Sequence, residues 1–125
     1  MGLEISARPT GPGRIRAVAS VRGCRGIESL VSAALGVALP EMRGRSRRAP
    51  AAFARQAAMY LAHVKLGLSL SEVGAYFGRD RTTVAHACSR MEDLRDDPRL
   101  ECVLDIVEAA VDHSRASGMT MGRPR

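Results

Sequence analysis

The residues richest in usable chemistry fall in one stretch, Gly78-Arg79-Asp80-Arg81-Thr82-Thr83-Val84-Ala85-His86-Ala87-Cys88. A glycine closes one apolar-periodic segment, an aspartate follows where a helix N-cap belongs, and two threonines come next. Val84, Ala87, Cys88, Met91 and Leu94 then repeat at helical spacing, which leaves Thr83, His86, Ser89 and Arg90 on the other face. Hydroxyls, an acid and guanidiniums at the front of a helix can hydrogen-bond base edges and phosphates, and a helix built this way fits the major groove of DNA. Covalent chemistry finds no such set. His86 and Cys88 point about 200° apart on a helix, so they cannot act as a nucleophile–base pair. His63, His86 and His113 lack metal-ligand spacing, and Cys24, Cys88 and Cys102 form no C-x-x-C pair. No enzyme, metal or cofactor is therefore expected. Cys88 and Cys102 fall on apolar helix faces and read as core thiols in a reducing cytoplasm.

Composition narrows the partner. The chain has 125 residues, one domain's worth, with 46% hydrophobic and only 3% aromatic residues. That suits a small helical domain with close helix approaches and argues against an aromatic-lined pocket for a small-molecule substrate. The net charge is +6, and all of the excess lies in residues 1–48, where nine arginines face Glu4, Glu28 and Glu41. The remaining residues balance. A basic segment beside a neutral helical domain points to a polyanionic partner. No run is long enough to span a membrane, and no apolar leader segment opens the chain.

The elements that must hold the stretch can be read around it. Residues 1–26 read as a disordered basic arm, punctuated by Gly11-Pro12-Gly13. Ile27, Leu30, Val31, Ala34 and Leu35 predict a helix over 27–39, limited by Gly36 and Pro40. Residues 41–50 form a connector in which Arg43, Arg45, Arg47 and Arg48 repel one another; such an arm lies along phosphates or drops an arginine into a minor groove. Phe53, Ala57, Tyr60, Leu61 and Val64 predict a helix over 51–66, with Gly67 as its left-handed end and Ser69 or Ser71 capping the next. Leu70, Val73, Gly74 and Phe77 face inward there. Asp97-Pro98 starts a last helix, with Leu100, Val103, Leu104, Val107 and Val111 inside and an end near residue 117. Residues 118–125 read as a disordered tail.

Ala54-Arg55-Gln56-Ala57-Ala58-Met59-Tyr60-Leu61, followed by Ser69-Leu70-Ser71-Glu72-Val73-Gly74-Ala75-Tyr76-Phe77-Gly78-Arg79-Asp80-Arg81-Thr82-Thr83-Val84-Ala85-His86-Ala87-Cys88, closely resembles the C-terminal DNA-binding domain of the bacterial replication initiator DnaA. The resemblance runs from about residue 27 to residue 111 and implies an all-α helix-turn-helix domain of five to six helices over 27–117. No G-x-x-x-x-G-K-[ST] accompanies it, which fits a stand-alone domain without the initiator's ATPase. The resemblance assigns base contacts to Arg47 (minor groove), Asp80, Arg81, Thr82 and Thr83. It assigns phosphate contacts to Arg55, Gln56, Leu70 and Ser71; Arg45 and Arg48 of the basic connector and His86 on the outer face of the recognition helix join them as candidate phosphate contacts. Three positions depart from the family pattern. Arg81 replaces a histidine and favours guanine O6/N7 or phosphate. Gly78 stands where two glycines are usual, which re-aims the helix. Ser71 replaces a proline.

The expected partner is double-stranded DNA, read at origin-box-like sites by a monomer in the nucleoid. The role is control of replication initiation, by competition or contact with the full initiator, or control of transcription. A protein-docking module of the same ancestry is the alternative reading. RNA binding fits less well, because no strand pattern carries stacking aromatics.

Overall fold

Punctuation residues set the boundaries between the helices. The computed structural model describes residues 12–45 and 48–122, with side chains over 20–45, 48–110 and at 112 and 113. Six helices follow in order among these residues: α1 (Pro12–Leu35), α2 (Leu39–Arg43), α3 (Ala49–Leu66), α4 (Leu70–Phe77), α5 (Arg81–Asp93) and α6 (Pro98–Gly122). No strand occurs among the described residues. Gly67 ends α3 at φ 70° and Gly78 ends α4 at φ 70°, left-handed conformations that side chains with a Cβ resist. Ser69 caps α4 in a reciprocal box: its hydroxyl accepts the Glu72 N–H at 3.0 Å while Glu72 Oε1 accepts the Ser69 N–H at 2.8 Å. Asp97 accepts the Arg99 N–H at 2.8 Å and so caps α6 behind Pro98.

Helix α3 is the axis of the molecule, packing against the other five. Its sequence explains this. Ala51, Ala54, Ala57, Ala58 and Ala62 are buried on several faces and let neighbouring helices come close, while Phe53, Met59, Tyr60 and Leu61 fill the gaps. One core joins α1, α2, α3, α5 and α6 through Val31, Met42, Leu61, Met91, Leu100 and Val103. A second joins α1, α3, α4 and α5 through Cys24, Met59, Leu68, Val73 and Val84. Each large aliphatic side chain fully buried here stabilises the fold by about 1.5–3 kcal/mol. Polar ties close the seams. Tyr60 donates to Glu92 at 2.6 Å and accepts from Arg95 at 3.1 Å, and His63 Nδ1–H donates to the Leu68 carbonyl at 2.7 Å. The Arg99 guanidinium lies 4.1 Å over the Phe53 ring.

Four expectations need correction. Residues 12–26 are not a disordered arm: α1 begins at Pro12, where the ring's fixed φ and missing N–H suit a first turn. The helix continues because Cys24, Ile27 and Val31 share one buried stripe. Gly23 does not break it; its missing Cβ makes room for Leu66, whose Cδ1 lies 2.8 Å from where a Cβ would stand. Likewise α6 continues through 118–122, residues expected in a disordered tail. Part of the connector is helical, since Pro40 sits in the first turn of α2 and Met42 is buried. Finally, Val64 is exposed and Cys102 is an exposed thiol rather than a core one. Residues 1–11 and 123–125 lie outside the described residues.

Candidate nucleic-acid interface

Helix α4, the turn at Gly78 and helix α5 form a helix-turn-helix. The turn is tight. The Arg79 N–H donates to the Gly74 carbonyl at 3.0 Å, and a Cβ on Gly74 would stand 2.4 Å from the Arg79 carbonyl oxygen. Only glycine admits that approach. Val84, Ala87 and Met91 bury the inner face of α5, which turns Arg81, Thr82, Thr83, His86 and Arg90 outward; all five are exposed. Asp80 occupies the N-cap, and its Oδ1 accepts the Thr83 N–H at 2.8 Å. That backbone bond, helped by the Thr83 hydroxyl, holds the Asp80 carboxyl below the usual carboxylate range. The first turn of α5 thus presents an ionised acid, two threonine hydroxyls and a guanidinium from a fixed backbone.

The flanking residues come from three other segments. Ser71 is exposed and Leu70 half-buried at the front of α4, where the first N–H groups of a helix have no intrahelical acceptor and attract anions. Arg45 is exposed at the start of the connector. Arg48 N-caps α3 by backbone alone and its guanidinium reaches Glu41 at 3.0 Å. Arg47 lies outside the described residues. Arg55 and Gln56 are half-buried in the second turn of α3. Arg55 Nε donates to the Met42 carbonyl at 2.9 Å, so this residue also ties α2 to α3.

The structure adds residues that the spacing alone left unremarked. Arg79 bonds three carbonyls, those of Phe77 (3.1 Å), Gly78 (3.3 Å) and Gly44 (3.1 Å), and so joins the turn to the root of the connector. Behind it Glu28 is 2% exposed and accepts from Arg43 and, at 2.7 Å, from the Tyr76 hydroxyl. Burial, with the neighbouring Glu28 charge, pushes Tyr76 up to about 12. Burial and the nearby Arg79 charge lower the Arg55 pKa. One signal did exist in the chain: Cys24, Ile27, Glu28 and Val31 have the spacing of a single helix face, which places a carboxylate on a buried stripe. Among the described residues no group of three or more metal-ligating side chains occurs, and no helix is long and apolar enough to cross a membrane.

An all-helical domain whose helix-turn-helix presents polar and cationic side chains from its second helix belongs to the DNA-binding class. The family is specific: residues 24–91 match the model of the bacterial DnaA protein helix-turn-helix, and the chain belongs to that family. It is 34% identical over 88 residues to the chromosomal replication initiator protein DnaA of Acholeplasma laidlawii, covering 69% of this chain and 20% of that protein. It is 44% identical over 75 residues to the initiator of Thermomicrobium roseum, covering 58% and 16%. A third initiator, from Rippkaea orientalis, is 39% identical over 66 residues, covering 52% and 15%. The chain thus spans a fifth or less of the length of these relatives, and the shared part is their helix-turn-helix region.

Proposed function

We propose that this protein binds double-stranded DNA sequence-specifically at sites like the origin boxes of the initiator, as a monomer without ATPase activity. It acts in the nucleoid to control replication initiation or transcription, with competition against the full initiator at shared boxes as the simplest route. The observation that carries this is the exposed first turn of α5, where Asp80 is locked by Thr83 while Arg81, Thr82 and Thr83 face outward. Asp80, Arg81, Thr82 and Thr83 read bases in the major groove, and Arg47 reads the minor groove beside them. Arg45, Arg48, Arg55, Gln56, Leu70, Ser71 and His86 hold phosphates. Arg81, a guanidinium with guanine-reading geometry, gives this protein its own box preference.

The test is an anisotropy titration on a box duplex and a scrambled duplex of equal length. Tighter binding to the box is expected, and equal affinity for both rejects sequence specificity. With about six phosphates neutralised, log K falls against log salt with a slope near −5. Arg47→Ala weakens binding and blurs the preference for A/T at the flanking positions.

A further inference from the structure

We infer that the cleft between α1, the end of α2, α3 and the end of α4 binds a phosphate group, held by Arg25, Arg43, Arg55 and Arg79. The cleft has a volume of about 550 Å³ and these four arginines are among the residues that line it, a size within the range of ligand sites. The four come from four separate chain segments, so folding alone assembles them. A tetrahedral phosphate offers oxygens to guanidiniums arriving from several directions, which a planar carboxylate does not.

The charges in the cleft are unevenly matched. The single carboxylate lining it, Glu28, is buried and already bonded through Oε1 by Arg43 Nε at 3.2 Å, Arg43 Nη2 at 3.0 Å and the Tyr76 hydroxyl. Arg79 bonds only carbonyls. Arg25 is exposed and has no ion-pair or hydrogen-bond partner among the described residues. Arg55 is held below its ordinary pKa by burial and by the Arg79 charge, a like-charge repulsion that an anion between them relieves. Glu28 orients Arg43, and its Oε1 is engaged by three donors.

The phosphate has two possible sources: a backbone phosphate of bound DNA, which rests on the function proposed above, or a free phosphorylated molecule. The experiment uses the full chain, with pyrophosphate titrated calorimetrically at constant ionic strength and a box duplex titrated by anisotropy. Arg25→Gln is the variant, because Arg25 supports nothing else in the fold, and Arg22→Gln on the same helix is the charge-matched control. The expected result is saturable pyrophosphate binding that weakens about tenfold in R25Q, the loss of one charge-assisted bond, and not in R22Q. If DNA supplies the phosphate, R25Q also lowers duplex affinity, the salt slope falls by about one, and the duplex displaces pyrophosphate. If a free molecule supplies it, duplex affinity is unchanged and both ligands bind together. Pyrophosphate binding with no duplex binding leaves the cleft standing and removes the DNA reading. Equal losses for R25Q and R22Q overturn the inference, as does no pyrophosphate binding with duplex affinity unchanged in R25Q.

Discussion

Asp80 performs two tasks with one side chain. Its Oδ1 accepts the Thr83 N–H and stops the front of α5 from fraying. In the function proposed here, the same carboxylate also meets a base edge. Two substitutions separate the tasks. Asn is as good an N-cap as Asp, so Asp80→Asn keeps helix content and melting temperature but changes base preference; Asp80→Ala lowers both. Circular dichroism melts beside titrations on base-substituted duplexes check this. The acid dependence follows from the lowered pKa of Asp80. The folded state holds this proton less tightly than the unfolded chain, so the capping contribution is present above the ordinary carboxylate range. It is lost as pH falls through the folded value, and D80N lacks that loss. Thr82→Ala leaves the cap intact, and Thr83→Ala keeps its backbone bond to Asp80 while losing the one from the hydroxyl; each costs about 1–3 kcal/mol of discrimination for each good base contact removed.

At the scale of elements, two glycines make different demands. A Cβ at Gly74 meets the backbone oxygen of Arg79 at 2.4 Å, and backbone cannot step aside without moving the turn that launches α5. At Gly23 the obstacle is the tip of the Leu66 side chain, which can rotate. Gly74→Ala therefore costs about 1–3 kcal/mol in denaturant unfolding, and Gly23→Ala costs less. What the chain revealed follows the same division between local and distant causes. Ser69, Gly67, Gly78, Asp80 and Asp97-Pro98 were legible because capping depends on neighbours a few residues away. The front of α1 was not, because Gly11-Pro12-Gly13 reads as punctuation and arginines without a helical period follow it, whereas the packing of Leu66 against Gly23 comes from a residue far along the chain. Val64 and Cys102 sit at apolar-looking positions whose burial was decided by which helices arrive beside them. The outward face of α5 followed from periodicity, whereas the meeting of Arg25, Glu28, Arg43, Tyr76 and Arg79 depends on contacts between residues far apart in the chain.

For the whole molecule, the protons buried in the fold set its alkaline limit. Cys24 is pushed up to about 11 by burial and then by the Glu28 charge, Tyr76 is pushed up to about 12, and Tyr60 is also raised by burial and by its bond to Glu92. In each case the folded state binds the proton more tightly than the unfolded chain. Stability from these groups is thus complete below their ordinary values and declines as pH rises through the folded ones. Urea midpoints measured from pH 8 upward are expected to fall, with the largest loss between about 9 and about 12. Tyr76→Phe, which has no proton to lose, flattens that decline. The thiols report the same burial: Cys102 is exposed and reacts with an alkylating probe in the folded protein, while Cys24 reacts only as the chain unfolds.

The Arg79 side chain grips Gly44 with one nitrogen and the Phe77 and Gly78 carbonyls with another. It acts as the pivot of a calliper whose jaws are the connector and α5. Under the function proposed here, such a calliper measures the target as well as reading it. Inserting one base pair between the two read segments swings one segment about 34° around the duplex and carries it about 3.4 Å along the axis. Jaws set by one guanidinium cannot follow both displacements, so binding to the lengthened site drops to that of scrambled DNA even though every base in each segment is correct.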